Sequence, residues 1–85
     1  MQWPILPDVK RGDTHNLQQR LGDAIRSRRQ ALGLSQEEVA SRAGLHRTYV
    51  GDVERGLRNV SLANIAKLAS ALGCKASELL REAER

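Results

Sequence analysis

Arg47, Thr48 and Asp52 share one face of a short helical pattern whose other face carries Val50 and Val53. That outer set suits the reading of base edges. The guanidinium of Arg47 can meet O6 and N7 of a guanine with two hydrogen bonds, and Thr48 can offer its hydroxyl to a base or its methyl to thymine. Tyr49 can pack its ring while its hydroxyl reaches a phosphate or a base. Asp52 would repel phosphate, so it either accepts from a cytosine amine or steers Arg47. His46, just ahead of the helix, can cap it or contact a nucleic-acid backbone. Arg55, Arg58 and Asn59 follow, around a Gly56 that bends the chain and can expose backbone donors; these groups suit phosphate and minor-groove edges. Ser35 and Gln36 open the preceding helical pattern, whose positive end suits a phosphate.

Other chemistries find no such constellation. His15, His46 and Cys74 lie far apart and form no nucleophile–base set with the carboxylates, so no enzyme, metal site, cofactor or small-molecule substrate is expected. One cysteine makes no intrachain disulfide, and Cys74 is expected to act as a small buried hydrophobe. Apolar runs never exceed two residues, as at Leu79-Leu80, which excludes a membrane span or a secretory segment and points to a cytoplasmic protein.

The charge is placed to match. The 85 residues carry 14 basic and 10 acidic groups, for a net +4. Eleven of the cations are arginine, the side chain best shaped for phosphate and guanine. Residues 1–15 and 74–85 are each neutral, and residues 16–73 hold the whole excess. With so few cations per copy, tight binding of a polyanion calls for two copies.

These groups need elements to hold them. Residues 1–15, with Pro4 and Pro7, read as an N-terminal arm. Trp3 and Ile5 could anchor it. Residues 16–85 read as a single all-α domain of five short helices. A chain of this size buries only about 60% of its extended surface. Without phenylalanine, its core must come from Leu, Ile, Val and Ala.

The first helix is expected over 16–32, capped by Thr14 or Asn16, with Leu17, Leu21, Ile25 and Leu32 inward beside Ala24. The second spans 36–42, started by a Ser35/Glu38 capping box. The third spans 47–54. The fourth spans 62–72, capped by Ser61, with Leu62, Ile65, Leu68, Ala69 and Leu72 inward. The fifth spans 77–84. Gly33, Gly44, Gly56 and Gly73 punctuate the series.

Only Ala43-Gly44-Leu45-His46 joins the second and third helices. A glycine-bearing turn this short sets two helices at a steep angle, the helix-turn-helix arrangement, with Leu45 plugging the corner. The residues from Leu32 to Leu45, then Tyr49-Val50, Val53-Glu54-Arg55-Gly56 and Leu68 to Gly73, resemble the lambda-repressor/Cro-type (XRE family) helix-turn-helix regulators across residues 17–80. Within that family, Arg47-Thr48-Tyr49 followed by Glu54-Arg55-Gly56 and Arg58-Asn59 is similar to the controller proteins of restriction–modification systems. The departure is Val60, where many members carry proline.

The resemblance implies a transcriptional regulator that binds double-stranded DNA, with Gln36 on phosphate and Arg58 and Asn59 on the backbone. It also implies a structural ion pair, Arg29 with Glu54, tying the first helix to the third. Arg26 and Arg28 are expected to be solvated or to face phosphate. Leu79, Leu80 and Ala83 lie on the fifth helix, where one face can complete the core and what remains is expected to form a homodimer patch; the alternative is that both leucines are consumed by the core of the single chain. The competing expectation is an antitoxin or other interaction module that binds a partner protein and DNA only secondarily.

Overall fold

The computed structural model describes the backbone of residues 11–85 and the side chains of residues 16–85. Five helices follow in order: α1 (Arg11–Ala31), α2 (Gln36–Ala43), α3 (Arg47–Glu54), α4 (Leu62–Ala71) and α5 (Ala76–Ala83). Among the described residues there is no strand. The elements contact one another as α1 with α3 and α5, α2 with α3 and α4, and α4 with α5.

Local chemistry accounts for the boundaries. The Ser35 hydroxyl accepts from the amide of Glu38, and the Glu38 carboxylate accepts from the amide of Ser35. This reciprocal pair satisfies two donors that α2 would otherwise leave open. Ser61 caps α4 by accepting from the Asn64 amide. Gly44 has φ +69° and donates its amide back into the last turn of α2. A residue with a Cβ is strained in that conformation, which is why the turn needs glycine.

α1 begins at Arg11, five residues before the expected start, and runs through both Thr14 and Asn16, so neither caps it. The expected arm therefore overlaps the helix at residues 11–15. Its remainder, including Trp3 and Ile5, lies outside the described residues.

The core is aliphatic: Leu21, Ile25, Val39, Val50, Val53, Leu68, Leu72, Leu79 and Ala83 are buried together, with the small Ala40, Ala43 and Ala69 between helices. Three leucines expected inside are exposed. Leu17 lies near the open end of α1, Leu32 lies past its last turn, and Leu62 is the first residue of α4, at the edge of its apolar stripe. Leu62 is 80% exposed.

Leu79 and Ala83 require the opposite correction. They are 0% and 1% exposed and complete the core of the single chain, so neither is surface for a second copy. The residue of that expected patch left half-buried is Leu80.

Candidate nucleic-acid interface

The presented surface is built on a buried carboxylate. Glu54 ends α3, and its side chain has no solvent exposure. Arg29 Nε donates to Glu54 Oε2 at 2.7 Å and Nη2 donates to Oε1 at 2.9 Å. The same guanidinium donates to the Leu34 carbonyl at 3.0 Å, reaching the chain just before α2. Gln36 Nε2 donates to Glu54 Oε1 at 3.0 Å, and Arg26 Nε approaches the same oxygen at 3.4 Å. One carboxylate thus joins α1, α2 and α3, and fixes α3 against both neighbours.

Burial alone would push the Glu54 carboxyl up. The hydrogen bonds from Arg29 and Gln36, with the Arg29 charge, outweigh it and hold the carboxyl below its ordinary 4.5. The folded state therefore binds this proton less readily than the unfolded chain. Stability from Glu54 is fully present above the ordinary carboxyl range and is lost as pH falls through the depressed value. Thermal melts should show a Glu54 contribution that is constant from pH 6 to 8 and disappears on acidification below about pH 4. A contribution that vanished instead near neutrality would refute the assignment.

Three sequence expectations change here. Gln36 was expected to meet phosphate with its side chain and its backbone amide; one of its two side-chain N–H groups is given instead to Glu54. Arg26 and Arg28 were expected outside any network. Arg26 instead reaches Glu54, and Arg28 bonds to Glu82 with Glu78 3.6 Å away, tying α1 to α5. Cys74, beside this tie, is half-buried rather than fully enclosed, and burial pushes its thiol up, away from a reactive thiolate.

The outer face of α3 carries the remaining groups. His46, Arg47 and Thr48 are exposed at its first turn. His46 occupies the cap position but its side chain makes no capping bond. Arg47 forms no ion pair among the described residues, so Asp52 does not steer it. Asp52 instead takes Arg55 Nη2 on Oδ1 at 2.6 Å and Arg58 on Oδ2 at 3.1–3.2 Å. The guanidiniums of Arg58 and Arg55 hold its carboxyl below the ordinary range.

Arg58 also lies 5.4 Å over the Tyr49 ring. The Tyr49 hydroxyl accepts from Asn64 Nδ2 at 3.0 Å, which leaves its own proton free to donate. The Ser35 hydroxyl, accepting from Glu38, is likewise free to donate outward. Asn59 stands at the lip of an apolar groove of about 100 Å³ lined by Leu17, Leu21, Val60, Ile65 and Leu80.

Sequence reasoning missed the Asn64–Tyr49 bond, the double use of Asp52 and the close packing of α1 at Gly22 against the Val53 and Glu54 backbone. The last left a signal: a glycine inside a helical pattern costs about 1 kcal/mol against alanine, which calls for a packing reason.

Two short helices joined through a glycine turn, the second presenting cationic and hydroxyl groups from its first turn, define a helix-turn-helix DNA-binding protein. The helix-turn-helix family profile matches residues 25–79, and the chain belongs to that family, as a transcriptional regulator of the XRE type. Control protein C.BamHI of Bacillus amyloliquefaciens is 46% identical over 68 residues, spanning 79% of this chain and 84% of that one. Control protein C.SmaI of Serratia marcescens is 48% identical over 60 residues, 71% of each chain. Among solved structures, the restriction–modification controller protein C.AhdI from Aeromonas hydrophila is 55% identical with a TM-score of 0.72, covering 73% of this chain and 94% of that one.

Proposed function

We propose that this chain is a sequence-specific controller of transcription that binds a two-fold symmetric DNA site as a homodimer, with α3 in the major groove. The observation that carries the reading is the exposed Arg47–Thr48 turn on a helix whose far end is fixed by the buried Glu54 network. A helix held this firmly from behind can hold its outer side chains in register with base edges. The resemblance to control proteins supports the controller role, and a DNA target supports a cytoplasmic location. The half-buried Leu80, with Leu17 and Val60 along the groove, supplies the apolar surface proposed for the second copy.

Selection of bound duplexes from a random pool tests the whole reading. The enriched sites should be palindromic, with half-sites one helical turn, about 34 Å, apart. Sizing of the complex should show two chains per site. No enrichment at moderate salt would overturn the DNA reading, and a single asymmetric half-site would overturn the dimer.

Two variants separate the roles. Arg47→Ala should relax selection at one base pair per half-site and cost about 1–3 kcal/mol of binding there. Gln36→Ala should weaken all sequences alike and also lower the Tm, because Glu54 loses a donor. Competition binding with single-base variants, alongside thermal melts, distinguishes the two patterns. A base-specific loss in Gln36→Ala, or none in Arg47→Ala, would reverse the assignment.

A further inference from the structure

The recognition surface contains an anion of its own. Asp52 stands on α3, three residues before Arg55 and six before Arg58, and each carboxylate oxygen is taken by a different guanidinium. The arginines lie outermost: their side chains are 59% and 50% exposed, against 18% for Asp52. A cytosine amine would have to displace one of them to reach a carboxylate oxygen, which argues against Asp52 as a direct reader. To these two guanidiniums the carboxylate presents two anionic oxygens, as the free oxygens of a phosphate would.

We propose that Asp52 is a specificity-determining residue that acts as an internal phosphate mimic, restraining Arg55 and Arg58 from non-cognate DNA. The inference rests on the DNA-binding reading above and deepens it. Its basis is an asymmetry between two kinds of complex. Binding without sequence preference is almost wholly electrostatic, so a fixed negative charge among the contacting cations weighs against it in full. A cognate complex also has base contacts, and its phosphates stand in one defined register. There Asp52 opposes binding by its charge but favours it by holding two flexible arginines in place. Tyr49 adds to that placement, since its ring lies beneath the Arg58 guanidinium and is itself held by Asn64. The two effects of Asp52 offset each other on the right sequence and do not on the wrong one.

Asp52→Asn tests this, because it keeps the shape and removes the charge. Affinity is measured for a selected duplex and for a shuffled duplex of the same composition, from 50 to 200 mM salt. The variant should bind the shuffled duplex roughly tenfold more tightly at the low-salt end. Its plot of log affinity against log salt on that duplex should steepen by about 0.9 per copy. Affinity for the selected duplex should change by no more than about twofold, so the discrimination ratio falls.

Equal shifts on both duplexes, or no change on the shuffled one, would overturn the proposal. So would a loss confined to one base pair, which would make Asp52 a base reader. If Asp52→Asn melts at a much lower temperature than the parent, Asp52→Ser is measured in its place with the same expectations. Failure of the parent protein to bind either duplex would count against the DNA reading itself, a result distinct from all of these.

Discussion

Replacing Glu54 with alanine should destabilise the domain by about 3–5 kcal/mol, because it leaves a largely buried arginine side chain without its counter-charge. Arg29 donates twice to this carboxylate, and the Gln36 amide donates once. Neither donor has an obvious substitute in the space that alanine would leave. For a domain of this size each kcal/mol corresponds to about 4–8 °C in Tm, so the melting point should fall by at least ~12 °C. Arg26→Ala provides the contrast. Its side chain is 44% exposed and its contact with Glu54 is 3.4 Å long, so its loss should cost under about 1 kcal/mol. DNA affinity of Glu54→Ala should fall beyond what the unfolded fraction explains, since α3 loses the group that sets its angle to α1 and α2. Melts of the two variants side by side decide the matter: a Glu54→Ala protein melting within a few degrees of the parent would show that the network positions nothing.

What the sequence disclosed, and what it hid, follows from the range over which each force acts. The start of α2 was legible because the Ser35/Glu38 box is closed within four consecutive residues, and the break after it because Gly44 alone can take the left-handed conformation. The span expected for α3 matches the helix for the same local reasons. The Arg29–Glu54 pair joins residues 25 positions apart, and periodicity says nothing at that distance; it became visible only through the resemblance to a family. Where neither local pattern nor family likeness reached, expectation and structure parted. Arg28 looked free because its partner Glu82 lies 54 residues on. For Gln36 the family likeness reached only its place at the helix start, and the bond to Glu54, 18 positions away, stayed hidden.

Leu79 and Leu80 are adjacent and chemically identical, so composition could not say which of them faces the core. The assembled fold buries Leu79 completely and leaves Leu80 partly exposed beside Leu17. The proposed dimer surface therefore shifts from the α5 face alone to the groove where α1, α5 and the loop at Val60 meet. The distribution of charge narrows as well. Of the nine cations between residues 16 and 73, Arg26 and Arg29 serve Glu54, Arg28 serves Glu82, and Arg55 and Arg58 are engaged by Asp52. Arg47 stands out on the face of α3 as a cation with no such engagement among the described residues, which is why so much of the proposed base readout falls to it.

Gly22→Ala should be at least as damaging as many core truncations, although it adds only one methyl group. A Cβ at this position would stand 2.7 Å from the Glu54 carbonyl oxygen and 2.9 Å from its carbonyl carbon, with the Val53 carbonyl oxygen nearer still. These are backbone atoms at the last turn of α3, so no side chain can rotate out of the way. α1 and α3 would have to separate, and that movement pulls Arg29 from Glu54 in the same stroke.

Alanine favours the helix by roughly 1 kcal/mol over glycine, but overpacking against an unyielding neighbour commonly costs 1–3 kcal/mol or more. Loss of the ion-pair geometry adds to it, for a net cost of about 3 kcal/mol. Gly51→Ala is the matched control. It lies on α3 itself, and the nearest neighbours of its added Cβ would be the side-chain amide atoms of Gln36, at an ordinary 3.5–4.0 Å. That variant should melt at or slightly above the parent temperature. If the two alanine variants melted alike, the close approach at Gly22 would not be what sets the spacing of α1 and α3. The positioning of the recognition helix would then rest on Glu54 alone.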